Sequence, residues 1–263
     1  MRKNIPDDNL AYPILLNIDD KYSGSGFFIN CDQKLYLVTA KHVLYNDKNV
    51  LNGKNLKLDC PSREVFDNTI TKFEVKLDEV IIKYHPISDV AIIHMGHLSE
   101  PDSQKIRETN YFKGISIPVK GISGTVSIKR DAILLLKDVL ISNDVFMYGY
   151  PTSLGLKSSH QFDFSKPLLR KGIIANTYPD LGTIILDCPV YYGNSGGPVV
   201  QVSFEGADNA IRYDFNLIGV ISQFIPFEEE WVNTKNHLIN KEWSNSGYSI
   251  AVCMDKVFEL IDK

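Results

Sequence analysis

The chain of 263 residues lacks the features that would place it in several large function classes. No apolar run is long enough to span a bilayer as a helix. The N-terminus carries Arg2 and Lys3 but turns acidic at Asp7 and Asp8, and Ala11 to Ile18 is short and broken by Pro13, so no signal peptide is expected. There is little excess charge: 28 Lys and Arg stand against 32 Asp and Glu, a formal net charge of −4. That balance gives no basic face suited to nucleic acid. Cysteine is sparse, at Cys31, Cys60, Cys188 and Cys253, with no metal-ligand spacing. The simplest expectation is reduced thiols in a cytoplasmic protein, although an even count leaves a disulfide open. Internal repeats and low-complexity tracts are absent as well.

What is present is an ordinary globular composition, 44% hydrophobic and 23% charged, long enough for one large or two small domains. Short β-prone runs recur at Leu35 to Ala40, Asn55 to Asp59, Lys72 to Leu77, Val80 to Lys83, Val90 to His94, Ala132 to Leu136 and Val145 to Gly149. Turn-formers such as Asn52-Gly53 and Asp67-Asn68 separate them. This pattern predicts an all-β sandwich or barrel. Ser99 to Lys113 reads as a surface loop or short helix, and Lys120 to Gly124 as a crossover between lobes. Val257, Leu260 and Ile261 have the spacing of a short terminal helix.

Three segments carry chemistry. In Gly193-Asn194-Ser195-Gly196-Gly197-Pro198, glycines on both sides of Ser195 allow positive φ and a close backbone approach, as acyl transfer requires. Alone, the segment reads equally well as a tight turn. Upstream, Leu35 to Val43 is an alternating strand that delivers His42 to its end. Ser88-Asp89-Val90-Ala91 sets one carboxylate at the mouth of an apolar strand, where it needs a partner. Nucleophile, base and orienting acid are thereby all present. The same serine segment fits the G-x-S-x-G pattern of α/β-hydrolases, but Pro198 to Val202 favours a strand over a helix. His85, His94 and His97 read as structural or surface residues, and Asp32, Asp78 and Glu79 lack the strand-mouth context of Asp89.

These blocks resemble those of trypsin-like serine peptidases of the chymotrypsin fold, and most of all the bacterial HtrA-type branch. Gly24 to Ile29, Tyr148 to Pro151, Leu217 to Ser222 and Gly247 to Val252 extend the likeness over most of the chain. The resemblance implies two six-stranded antiparallel β-barrels, at about 10–125 and 126–253, followed by a helix at 254–263. It leaves no room for the peptide-binding domain that often follows HtrA-type proteases. It also implies a Ser195, His42 and Asp89 triad with an oxyanion hole at Gly193, Asn194 and Ser195, and no metal or other cofactor. Pocket-lining roles fall on Pro189, Val190, Tyr191, Tyr192, Ser222, Gln223 and Phe224.

Two departures sharpen that expectation. Pro189 stands where Arg- and Lys-cleaving relatives carry an acid, so a preference for small or medium apolar side chains before the cut is expected. Asn194 stands where zymogen-type enzymes carry an aspartate, which disfavours activation by N-terminal trimming and leaves constitutive activity or a partner-driven switch. The expected partner is a protein or peptide substrate. A catalytically silent peptide binder and a serine esterase or amidase are the competing readings.

Overall fold

The computed structural model describes residues 5–62, 70–98, 109–116, 125–152, 163–207, 210–233, 235–236 and 238–262. Ten strands build the first lobe: β1 (Ile14–Ile18), β2 (Tyr22–Cys31), β3 (Lys34–Thr39), β4 (Asn55–Pro61), β5 (Ile70–Lys76), β6 (Ile82–Tyr84), β7 (Ala91–Leu98), β8 (Thr109–Tyr111), β9 (Ile115–Ser116) and β10 (Ser127–Lys129). Six build the second: β11 (Asp144–Gly149), β12 (Leu168–Tyr178), β13 (Thr183–Asp187), β14 (Pro198–Ala207), β15 (Ala210–Asn233) and β16 (Leu238–Cys253). Helices are short: α1 (Asp7–Leu10), α2 (Lys41–Leu44) and α3 (Met254–Ile261). None is long and apolar enough to cross a membrane.

The second lobe is the closed six-stranded barrel that was expected, in the order β11-β12-β13-β16-β15-β14. The first differs in detail: its sheet follows an open path from β6 to β9 among the described residues, and β10 joins β2 in parallel. Period-two patterning explains the inward faces. In β4 and β5, Leu56, Leu58, Phe73 and Val75 point into the core while Lys57, Lys72, Glu74 and Lys76 point out.

Three apolar cores result. One fills the first lobe around Leu16, Phe28, Leu37 and Phe73, and another fills the second barrel around Val145, Ile184, Val199 and Ile218. The third lies between the lobes, where Phe27 and Ile29 of β2 meet Leu217 and Val220 of β15 beneath Val257 and Leu260 of α3. Each large side chain buried in this way contributes about 1.5 to 3 kcal/mol, so the shared core fixes the cleft between the lobes.

Some sequence expectations need correction. Ala132 to Leu136 is not a strand: it lies between short 3₁₀ turns at Arg130–Ala132 and Leu136–Asp138 and touches β15 through a single bridge, Ile133 to Leu217. Within the expected loop at Ser99 to Lys113, Thr109 to Tyr111 forms a strand against β7, while 99–108 lies outside the described residues. The crossover at Lys120 to Gly124 and the turn at Asp67-Asn68 lie outside them too.

Candidate active site

His42 sits in the single turn of α2, directly after β3 delivers Thr39 and Ala40 to the cleft. Asn52 fixes this turn by donating through Nδ2 to the carbonyls of His42 (3.1 Å) and Val43 (3.0 Å). The imidazole Nδ1 lies 2.7 Å from Asp89 Oδ2, and the His42 backbone N–H donates to Asp89 Oδ1 at 2.9 Å. Asp89 therefore grips both the ring and the backbone of one residue. Ser222 adds a third bond, its Oγ donating to Asp89 Oδ2 at 2.6 Å.

Burial pushes the Asp89 carboxyl up, but the bonds from His42 and Ser222 outweigh it and hold the group below the ordinary carboxylate range. An ionised Asp89 beside Nδ1 favours the tautomer with the proton on Nδ1, leaving Nε2 free to accept.

Ser195 reaches the same place from the other lobe. Its Oγ donates to the carbonyl of Ser222 at 3.1 Å rather than to His42, so Ser222 is the common neighbour of serine and aspartate. The turn that carries it takes positive φ on either side, at Gly193 (96°) and Gly196 (85°). A Cβ on Gly196 would collide with the Ser25 carbonyl and Thr39 Oγ1, which makes glycine obligatory where the lobes touch. The backbone N–H groups of Gly193 and Ser195 donate to no acceptor among the described residues. Asn194 behaves differently: its N–H donates to the Tyr191 carbonyl (2.9 Å), its Oδ1 accepts from Tyr191 N (3.2 Å), and its side chain is buried. Of the three residues expected at the oxyanion hole, two have free amides and Asn194 braces the turn.

Sequence reasoning missed Ser25. Its buried Oγ donates to the Gly193 carbonyl at 2.7 Å and accepts from Tyr150 N at 3.0 Å, joining β2 to the turn that carries Ser195. It missed the part played by His85 as well, which is buried as a structural residue should be. His85 Nδ1 accepts from Ser88 N (2.8 Å) and Ile87 N (3.3 Å), shaping the turn that presents Asp89, and Nε2 lies 3.1 Å from Glu259 Oε2 on α3. The expected pocket residues differ in exposure. Val190 and Ser222 are buried, Pro189, Tyr191 and Phe224 are partly so, and Gln223 and Tyr192 are exposed. The Tyr192 ring meets Phe224 edge-on at 5.9 Å, and the Arg170 guanidinium lies 4.6 Å from the Tyr191 ring.

Two β-lobes with serine on one, histidine and aspartate on the other, and two free amides beside the serine define a chymotrypsin-like fold with a candidate serine-hydrolase site. The protein belongs to a known family of that fold: a profile described as the trypsin-like peptidase domain matches residues 24–205, more than half of the chain. Serine protease HTRA3 of Rattus norvegicus and that of Mus musculus are each 24% identical over 183 residues. The match covers 70% of this chain but only 31% of the length of those relatives. Among solved structures, the serine endoprotease from Yersinia pestis superposes with a TM-score of 0.52 at 13% identity, covering 100% of this chain and 67% of that one. The HtrA-type protease AlgW with tripeptide gives 0.50 at 16% identity, covering 97% and 60%. At such identities these structures bear on the fold alone.

Proposed function

We propose that the protein is a serine endopeptidase acting through an acyl-enzyme. The observation that carries this reading is the double grip of Asp89 on His42, with Ser222 bonded to both Asp89 and Ser195. On substrate binding the Ser195 hydroxyl turns from the Ser222 carbonyl to His42 Nε2. His42 takes its proton as Oγ attacks the scissile carbonyl, and then gives that proton to the leaving amine. The amides of Gly193 and Ser195 stabilise the oxyanion, each such donor being worth about 3 kcal/mol in the barrier. Water then attacks the acyl-enzyme with His42 again as base. Protein residues suffice for every step.

Buried Val190 and partly buried Pro189 and Phe224 favour small or medium apolar side chains before the cut, because a cation there would lose its hydration without a counter-charge. The self-bracing of Asn194 fits activity without N-terminal trimming. Four buried free cysteines fit a reducing compartment such as the cytoplasm. A peptide library cleaved by the wild type and spared by Ser195→Ala, with apolar residues dominating before the cut, is the expected result. Cleavage dominated by Arg or Lys would overturn the specificity, and equal cleavage by both proteins would overturn the activity.

A further inference from the structure

β15 does not end at the cleft. Its pairing with β14 stops at Val220, with a last pair of bonds between Ile221 and Gly196–Gly197, and the Ser222 carbonyl then meets the Ser195 hydroxyl. From there β15 runs on to Asn233 and returns as β16, a hairpin arm bonded along one edge of β15 only among the described residues. The open edge of the arm therefore begins beside the nucleophile. The arm also lies beyond the stretch matched by the family profile, 24–205.

Its two faces differ in charge. Residues paired across the hairpin share a face, so Glu228, Glu230 and Val232 lie with Trp243, Lys241 and Ile239. There Lys241 bonds both Glu228 (2.8 Å) and Glu230 (3.3 Å), which leaves a single net negative charge shared over the pair. The opposite face sets Glu229 directly against Glu242, with Phe227, Trp231 and Leu238 around them. Neither glutamate meets a cation among the described residues, and Trp231 and Leu238 are 61% and 63% exposed. Like charges directly opposed weaken a hairpin, and an exposed tryptophan beside them is a ready cation–π partner. A lysine or arginine laid on this face would relieve the repulsion and use the ring.

We propose that the arm is a docking rail for the protein substrate, and that its Glu229, Glu242 and Trp231 face selects a basic residue well upstream of the cut. The inference rests on the peptidase reading above. A peptide added to the open edge antiparallel to β15 sends its residues N-terminal to the cut outward along the arm. At about 3.3 Å per residue, Glu229 faces the position roughly 6 to 9 residues before the scissile bond. Side chains on alternate residues of that added strand fall on the acidic face.

The test compares three fluorogenic substrates with one cleavage sequence: a short one ending about four residues before the cut, and two extended N-terminally with either Lys or Glu at the positions facing the arm. The proteins are the wild type and the double variant Glu229→Lys, Glu242→Lys, which changes only exposed side chains. In the wild type, kcat/KM for the Lys-extended substrate should exceed that for the Glu-extended one by about five- to tenfold, and the gap should shrink in high salt. In the double variant the preference should vanish or reverse, with the short substrate cleaved equally by both proteins. Equal rates on both extended substrates in the wild type, or a preference that survives the double substitution, would overturn the rail. So would self-association abolished by the double variant without any substrate preference, since the arm would then serve a second copy of the chain. Failure of the wild type to cleave even the short substrate would instead overturn the peptidase reading on which the rail depends.

Discussion

At the scale of single residues, the site depends on bonds that cross between lobes. Ser25 holds the Gly193 carbonyl and the Tyr150 amide at once, from 168 and 125 residues away. Ser25→Ala leaves both groups buried without a partner, at about 1 to 3 kcal/mol each. It should lower stability in chemical denaturation and lower kcat on a short peptide more than it raises KM, because the proposed oxyanion turn acts most in the transition state. An unchanged kcat would refute that role. Asp89 gives a second expectation. Its carboxyl is held below its ordinary range, so the stabilisation it provides is full above that range and is lost as pH falls through the lowered value. Ser222→Ala removes one of the bonds that lower it, and acid unfolding followed by circular dichroism should then begin at higher pH. The residues of the proposed triad were legible in the sequence because each lies in a local pattern, a strand end or a glycine-bracketed turn. Ser25 and His85 were not, because their partners come from distant parts of the chain and leave no spacing to read.

At the scale of elements, the turn from His85 to Val90 carries Asp89 and is tied to the C-terminal helix. His85 accepts two turn amides through Nδ1 and meets Glu259 of α3 through Nε2, while Lys83 Nζ donates to the Leu260 carbonyl at 3.1 Å. His85→Ala should lower kcat and weaken the protein by about 1 to 3 kcal/mol, since the buried Ser88 amide loses its acceptor. His85→Asn, which keeps an acceptor near Nδ1, should recover much of the kcat. Equal loss in both variants would mean that the ring acts only by filling space. The β-prone runs on β3, β4, β5, β6, β7 and β11 were legible from composition and alternation, and the helix from the spacing of Val257, Leu260 and Ile261, whereas β12 and β13 were not foreseen. The arm was not. Its Glu-rich run, 228–230, carries no buried face, so alternation had nothing to mark, and only the flanking cleft strands Leu217 to Ser222 and Gly247 to Val252 were foreseen. Ala132 to Leu136 misled in the opposite way: its apolar side chains pack beside the inter-lobe core and the second barrel without a strand partner along their length.

At the scale of the whole molecule, the cleft exists because both lobes and α3 share one apolar core, so the halves of the site are held by packing as well as by hydrogen bonds. All four cysteines are free and buried, and burial raises the thiols of Cys188 and Cys253 to about 11. The native protein should therefore react slowly with a thiol reagent at neutral pH and yield four equivalents once unfolded without reductant. Fewer than four would reveal a disulfide. The central claim is that Ser195 is a nucleophile activated by His42. Treating the folded protein with a fluorophosphonate and locating the adduct by mass spectrometry tests it most directly. The adduct should fall on the peptide containing Ser195, vanish in Ser195→Ala and drop sharply in His42→Ala. Equal labelling of wild type and Ser195→Ala, or an adduct on any other serine, would contradict the account.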